Sequence, residues 1–185
     1  MFTKGTRMKK VITTTLMGGV AAAAVAAALG GAGAANASCA SLNGQSIGAG
    51  CTTGTGGFSL ALGPAAATAA GPGNIAIAVG NPGFNRFYGT NVPTQALADG
   101  GTGNVAVALG DGSNAGSPGN HNTAFVLGQG SNAFAYGGNN GNIPQPGNHN
   151  TSITVANGGE AGAVGKHKLS TAFSSGRHLN NGLGG

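Results

Sequence analysis

Short apolar stretches that alternate large and small side chains recur along this chain, each bordered by glycine or asparagine. In GNIAIAVG (73–80) the large residues are Ile75, Ile77 and Val79, and alanines stand between them. Successive side chains of a strand point to opposite faces, so this period of two predicts β-strands with one large and one small face. The unit recurs in GFSLALG (57–63), GNVAVALG (103–110), NTAFVLG (122–128) and NTSITVAN (150–157). The sequence therefore predicts an all-β protein.

The small face of these strands lacks the charged residues of a solvated sheet. It is flat and dry enough for close approach by another sheet, another subunit or another copy of the chain. The turns PGN and TGN begin at Pro72, Thr102, Pro118 and Pro146, at steps of 30, 16 and 28 residues. These steps approximate one or two coils of about 14–16 residues, which predicts a β-solenoid or β-roll with Gly, Asn and Pro turns.

The first 37 residues have the features of a signal peptide. Basic residues precede an alanine-rich run from Val11 to Leu29, and residues 35–37 form an A-x-A site for cleavage before Ser38. A retained membrane anchor is the alternative, and Met8 is an alternative start. We expect an exported protein, secreted or associated with the cell envelope, with no integral membrane anchor after cleavage.

Cleavage removes most of the positive charge. The full chain has a formal net charge of +5, and four of its eight basic residues lie before the apolar run. The rest of the chain balances four basic residues against three acidic ones, a net of +1. Nucleic-acid binding needs a basic surface that meets phosphates. We therefore expect no nucleic-acid partner.

Three further regions follow the signal peptide. Residues 38–56 are predicted to form a loop closed by a Cys39–Cys51 disulfide, because an exported chain with two cysteines normally pairs them. Lipidation of Cys39 is the alternative. Residues 57–157 are the predicted repeat domain, which segment 85–100 interrupts with a helical turn predicted around residues 93–99.

Residues 158–185 are predicted to be a loose basic tail without strands. Its cations are Lys166, Lys168 and Arg177. A solvated terminus is one interpretation of this cluster. The other is contact with an anionic polymer of the envelope or of a host surface, which salt should weaken.

The hexamer PGNHNT occurs at residues 118–123 and again at 146–151. Proline fixes φ and glycine permits left-handed backbone, so the hexamer predicts a corner. Its asparagines are expected to stack in ladders between coils: Asn120, Asn122, Asn148 and Asn150. A shared zinc ion would need His121 and His149 close together. Two coils would separate them by about 9.5 Å and one 28-residue coil by about 4.8 Å.

We expect no metal site and no cofactor, because the sequence offers no cysteine or nearby carboxylate as a third ligand beside these histidines. Enzymatic motifs are also lacking. There is no G-x-S-x-G sequence, and the three acidic residues outside the leader are far apart in sequence. We therefore expect no catalytic residues and a protein that is not an enzyme.

The segments ALGDGSNAG (108–116) and VLGQGSNAFAYGG (126–138) resemble the head repeats of trimeric autotransporter adhesins. The resemblance covers residues 57–157 and implies a left-handed β-roll that binds host surface components. The chain lacks that family's coiled-coil stalk pattern. It also resembles small secreted Gly/Ala/Asn-rich mycobacterial proteins of unknown function, and GQGSNAFAY (128–136) is similar to units of curli-type amyloid subunits.

These observations predict an exported structural or adhesive protein at or beyond the bacterial cell surface. Two alternatives remain. The first is a self-assembling matrix or amyloid-type subunit, because nearly uncharged strands favour pairing with further copies. The second is a small-ligand or metal-binding module that uses His121 and His149.

Overall fold

A computed structural model describes the backbone of residues 38–136, 139–140, 143–144, 147–173 and 177–181, and the side chains of 38–136 and 149–173. The chain divides into two units, Met1–Ala35 and Asn36–Gly185. All described residues belong to the second unit, so the predicted signal peptide (1–37) lies outside them. No helix in the described ranges is long and apolar enough to cross a membrane.

The described residues form strands and no α-helix. The first strands are β1 (Cys39–Leu42), β2 (Gln45–Ile47), β3 (Cys51–Thr53), β4 (Phe58–Leu62), β5 (Ala66–Ala69), β6 (Ile75–Val79), β7 (Gly83–Asn85), β8 (Thr90–Val92), β9 (Gln95–Ala98) and β10 (Val105–Leu109). The later strands are β11 (Asn114–Gly116), β12 (Gly119–Asn120), β13 (Thr123–Leu127), β14 (Asn132–Tyr136), β15 (Asn139–Asn140), β16 (Ile143–Pro144), β17 (Gly147–Asn148), β18 (Thr151–Val155), β19 (Glu160–Val164), β20 (Leu169–Ala172) and β21 (Arg177–Asn181). The all-β prediction is confirmed.

Most strands belong to two sheets between which the chain alternates. Sheet A has eight strands in the order β2-β1-β4-β6-β10-β13-β18-β20, and sheet B has seven in the order β21-β19-β14-β11-β9-β5-β3. From β4 onward neighbours in sheet A are parallel, whereas β1 pairs antiparallel with both β2 and β4. The chain from β4 onward therefore winds in coils that give one strand to each sheet.

The registers fix the length of each coil. Residues aligned across sheet A are Phe58, Ile75, Val105, Thr123, Thr151 and Leu169. The chain thus advances by 17, 30, 18, 28 and 18 residues per coil. The steps of 30 and 28 residues are single coils, not the two coils that the turn spacing suggested. Their extra residues include the antiparallel hairpins β7–β8 and β15–β16.

The alanine faces of the two sheets meet in a narrow core. Ala76 and Ala106 of sheet A and Ala67 and Ala133 of sheet B are all fully buried. Val126 is the largest fully buried side chain among the described residues. The partner of the small face is thus the other sheet of the same chain, and the larger side chains of sheet A lie on the outside.

The predicted helical turn at residues 93–99 is wrong. Gln95–Ala98 form β9, which pairs in parallel with β5 and β11. Ala96 and Ala98 point into the core while Gln95 and Leu97 are exposed. A period of two decides the structure here, because the strand supplies the small inward residues that the core requires.

The prediction of a loose tail from residue 158 onward also differs from the structure. Strands β19 and β20 continue sheets B and A in parallel register, and β21 follows β19. Ala161 and Ala163 of β19 and Ala172 of β20 are fully buried. The segment lacks the repeated turn sequence, but it keeps the small inward residues that allow another coil to stack.

Candidate functional site

Buried asparagines form a ladder in the turns that lead from sheet B to sheet A. Asn74, Asn104, Asn122 and Asn150 are all fully buried. The Oδ1 atom of each accepts the backbone N–H one coil further on, at 2.9 Å from Asn104 to Asn74, 3.0 Å from Asn122 to Asn104 and 2.9 Å from Asn150 to Asn122. The last rung accepts the N–H of Lys168 at 2.9 Å. This ladder ties each coil to the next.

The amide groups of the same asparagines satisfy carbonyls of the turns. Asn104 donates to the carbonyls of Asp99 and Gly119, and Asn150 donates to Tyr136 at 3.0 Å and Gly165 at 2.6 Å. Of the predicted ladder residues, Asn122 and Asn150 are rungs. Asn120 instead accepts the N–H of Thr102 through Oδ1, and the side chain of Asn148 lies outside the described residues. Asn74 and Asn104 were not among the predicted ladder residues. The sequence signal for them is the Gly-Asn pair that directly precedes β6 and β10.

Residues 119–122 and 147–150 of the two hexamers directly precede β13 and β18 in neighbouring coils, where β12 pairs in parallel with β17. The rings of His121 and His149 stack with centroids 5.0 Å apart and planes 10° apart. The single-coil spacing considered for the hexamers is therefore the one found. Both histidines are exposed, and they themselves have left-handed backbone, with φ of 54° and 57°.

A third histidine, which the sequence reasoning placed in a flexible tail, extends this stack. The ring of His167 lies 5.1 Å from that of His149, with planes 4° apart. The signal was the alignment of Gly165-Lys166-His167-Lys168 with Gly147-Asn148-His149-Asn150, each followed by a sheet A strand. We name His121, His149 and His167 the histidine ladder.

The outer face of sheet A is a second candidate surface. It consists of the outward residues of the parallel strands: Phe58, Leu60, Leu62, Ile75, Ile77, Val79, Val105, Val107, Leu109, Thr123, Phe125, Leu127, Thr151, Ile153, Val155, Leu169 and Thr171. None is charged, all but three are apolar, and none is buried. From strand spacing and rise, the face covers on the order of 500 Å². Apolar patches of this size mark interaction sites on many soluble proteins.

The other predicted site residues are not among the outward residues of this face. Cys39 and Cys51 form the predicted disulfide, which joins β1 of sheet A to β3 of sheet B. Lys166 is exposed and Lys168 half-buried, both in the turn before β20 beside the histidine ladder. Arg177 begins β21, and its side chain lies outside the described residues.

Among the residues that the structure describes, no group of three or more His, Cys, Asp and Glu side chains is placed to hold a metal ion. Burial, followed by the charge of Glu160, raises the pKa of Tyr88 above its ordinary value. Tyr88 lies between β7 and β8, and its side chain is 49% exposed, so its burial is partial.

Comparison of the chain with protein-family models, with curated proteins and with solved structures gives no match.

Proposed function

We propose that the protein is an exported, non-enzymatic structural or adhesive protein that works through the outer face of sheet A. The observation that carries this proposal is the uncharged apolar character of that face over successive coils. The core of the two sheets is already filled by alanine, so this face is not needed to hold them together. The resemblance to adhesin head repeats supports the same role.

Two adjacent lysines in the middle of the face test the proposal. Val107 and Phe125 are half-buried neighbours on β10 and β13. The double variant Val107→Lys/Phe125→Lys should lose most of its retention on alkyl-coated beads and on isolated cell envelopes, because charge opposes the removal of water from an apolar surface. A cosedimentation assay measures the retained fraction.

A matched control exists on the other sheet. Thr68 and Leu97 are outward neighbours on β5 and β9. The variant Thr68→Lys/Leu97→Lys adds the same charge and should be retained like the unmodified protein. Equal retention of all three proteins would remove the support for the outer face of sheet A as the contact surface.

Export has its own test. Fractionation followed by N-terminal sequencing should recover the protein from the culture supernatant, beginning at Ser38, with some released from the envelope by salt. Recovery chiefly as an uncleaved membrane species would contradict the proposed location.

A self-assembling extracellular subunit is the second candidate, and the same apolar face favours it. The alanine faces are occupied by the contact between the sheets, so assembly would use other surfaces, of which the outer face of sheet A is uncharged and mostly apolar. Sedimentation velocity over a concentration series separates the candidates. An adhesive monomer keeps one sedimentation coefficient, whereas a self-assembling subunit shows a rising one that Val107→Lys/Phe125→Lys abolishes.

A further inference from the structure

One backbone position in the turns before the sheet A strands is left-handed in every coil from β4 onward. It lies two residues before the first residue of each strand and has these φ values: Gly56 77°, Gly73 67°, Gly103 67°, His121 54°, His149 57° and His167 54°. Glycine adopts this backbone without steric cost, whereas a residue with a Cβ does not. Histidine thus replaces the favoured residue in three successive coils. This points to a use for the imidazole itself.

The surrounding turns hold the backbone of the three histidines in a fixed line. The N–H of His121 donates to the carbonyl of Thr102 at 2.9 Å, and the N–H of His149 donates to that of Asn120 at 3.1 Å. The residue after each histidine is bound to the buried asparagine ladder. The backbone below the ladder is therefore rigid, while the rings are exposed to solvent.

Imidazole nitrogens bind zinc, copper and nickel ions well. Metal–nitrogen bonds are about 2.1 Å, so two ligands on one tetrahedral ion lie about 3.4 Å apart. Rings that are nearly parallel, with centroids 5.0 Å apart, can bring one nitrogen of each ring to a similar separation. Each nitrogen then needs to move by roughly 0.8 Å to reach a shared ion. Because the nitrogen lone pairs lie in the ring planes, the two nearly parallel rings must also turn toward a shared ion. Rotations about the side-chain torsions of these exposed histidines provide both changes.

We propose that the histidine ladder binds a divalent transition-metal ion between neighbouring imidazoles, with His149 common to both pairs and water completing the coordination. His167 supplies a second neighbour for His149, so each of the two possible ions would have two imidazole ligands. The three histidines form an exposed row across neighbouring coils and do not enclose the ion. The protein therefore folds without the metal. The site is independent of the outer face of sheet A.

Charges nearby distinguish the two pairs. Lys166 and Lys168 stand on either side of His167, so their ammonium groups repel a cation held by His149 and His167. The carboxylate described in the same set of turns belongs to Asp99, in the coil before His121, where it accepts the N–H of Gly100. The pair His121–His149 is therefore the preferred site.

Glycine substitutions test the proposal without disturbing the backbone, because glycine occupies this position in the earlier coils. Isothermal titration calorimetry with copper(II), nickel(II) and zinc(II) salts is performed on the protein and on His121→Gly, His149→Gly and His167→Gly. We expect uptake of one ion, tightest for copper. His149→Gly should lose it, because the remaining rings are two coils apart. His121→Gly should weaken binding more than His167→Gly does.

Thermal unfolding without metal serves as the control and should be as cooperative in the three variants as in the parent. Metal uptake should also fall as the pH is lowered, because protons compete for the imidazole nitrogens. Equal uptake by all four proteins would overturn the proposal. The proposal would also be overturned if the protein took up no metal and instead bound a polyanion such as heparin more strongly at acidic pH. The histidine ladder would then act as a cationic surface and not as a metal site.

Discussion

Asparagine is the side chain that fits the buried turn of each coil. Its Oδ1 accepts an N–H from the following coil, and its Nδ2 donates to carbonyls of the turns, so one residue satisfies both kinds of backbone group. Serine or alanine at the same position would leave one or both unpaired in a site that water does not reach. Because unpaired buried groups are costly, we expect the asparagine ladder to contribute substantially to the free energy that holds neighbouring coils together.

Asn104→Ala should lower the free energy of unfolding by about 2–4 kcal/mol, because it leaves the N–H of Asn122 and the carbonyl of Gly119 without their partner in a buried turn. Asn157→Ala is the matched control. Asn157 also accepts a backbone N–H, that of Gln129 at 2.9 Å, but in an exposed turn where water can replace it. Its loss should cost less than about 1 kcal/mol. Urea unfolding of both variants measures the difference, and similar losses would contradict the importance of burial.

The turns from sheet A to sheet B depend on glycine for a different reason. Gly110 has φ of 126°, and a Cβ there would lie well inside contact distance of the carbonyl oxygen of Gly128 in the next coil. Gly89 has φ of 66°, but a Cβ there would point into open space, with no other atom within 4 Å. The first position therefore combines backbone strain with a steric clash, whereas the second has backbone strain alone.

Gly110→Ala should consequently destabilise the protein by about 2–5 kcal/mol, since the clash can be relieved only by moving two coils apart. Gly89→Ala should cost about 1–2 kcal/mol, the ordinary penalty for a Cβ in left-handed backbone. Thermal unfolding monitored by circular dichroism compares the two. Equal shifts in melting temperature would show that the coils are not packed closely enough at Gly110 for a methyl group to matter.

At the scale of elements, the hairpin β7–β8 is an insertion that runs along the turns of later coils. Asn85 is fully buried and donates to the carbonyl of Gly112 at 2.8 Å and to Oδ1 of Asn132 at 3.0 Å. Further along, the side chain of Arg86 approaches Gly158. The insertion thus contacts three coils beyond the one that contains it, which explains why a 30-residue coil does not disrupt the stack.

Tyr88 of this hairpin provides a pH test of its position. Burial and then Glu160 raise the pKa of Tyr88 above its ordinary value of about 10. The phenol of Tyr88 therefore loses its proton at a lower pH in the unfolded chain than in the folded one. Its contribution to stability is complete below the ordinary pKa of about 10 and is lost as the pH rises through the folded pKa. Phenolate absorbance in a Tyr136→Phe background should show the raised pKa. Glu160→Gln should lower the pKa of Tyr88 part of the way toward its ordinary value. An unchanged pKa would show that the charge of Glu160 does not act on Tyr88.

The strands could be predicted from sequence because alternation is a local property of five or so residues. The length of a coil could not be predicted, since an insertion such as β7–β8 lengthens the distance in sequence between two turns just as a second coil would. His121 and His149 were easy to relate because they share a repeated hexamer. The signal for His167 is weaker, since its turn shares only the glycine and the histidine and carries lysines in place of the asparagines. Which face is buried also depends on the partner sheet, which the sequence of one strand does not reveal.

At the scale of the whole described unit, the two ends of the coil stack are built differently. The N-terminal end is covered by β1, which pairs antiparallel with β4 and so cannot continue the parallel winding. Cys39 and Cys51 are buried there and link sheet A to sheet B. The opposite end finishes in the parallel strands β20 and β21. Edge strands invite pairing with further chains. At the N-terminal end the edge of sheet A is the short antiparallel strand β2, which breaks the parallel register that another coil would need.

The disulfide should matter mainly by restricting the unfolded chain, since it closes a short loop with a sequence separation of 12. For a loop of this size the double variant Cys39→Ala/Cys51→Ala should lose about 2–3 kcal/mol of unfolding free energy. Guanidinium unfolding with and without a reductant measures it. The reductant should destabilise the parent to a similar extent and leave the double variant unchanged, because it has no bond to reduce. A parent that is equally stable with and without the reductant would show that the pairing of β1 with β4 holds the N-terminal end without the disulfide. The stability of the protein would then give no reason to expect that it works in an oxidising compartment.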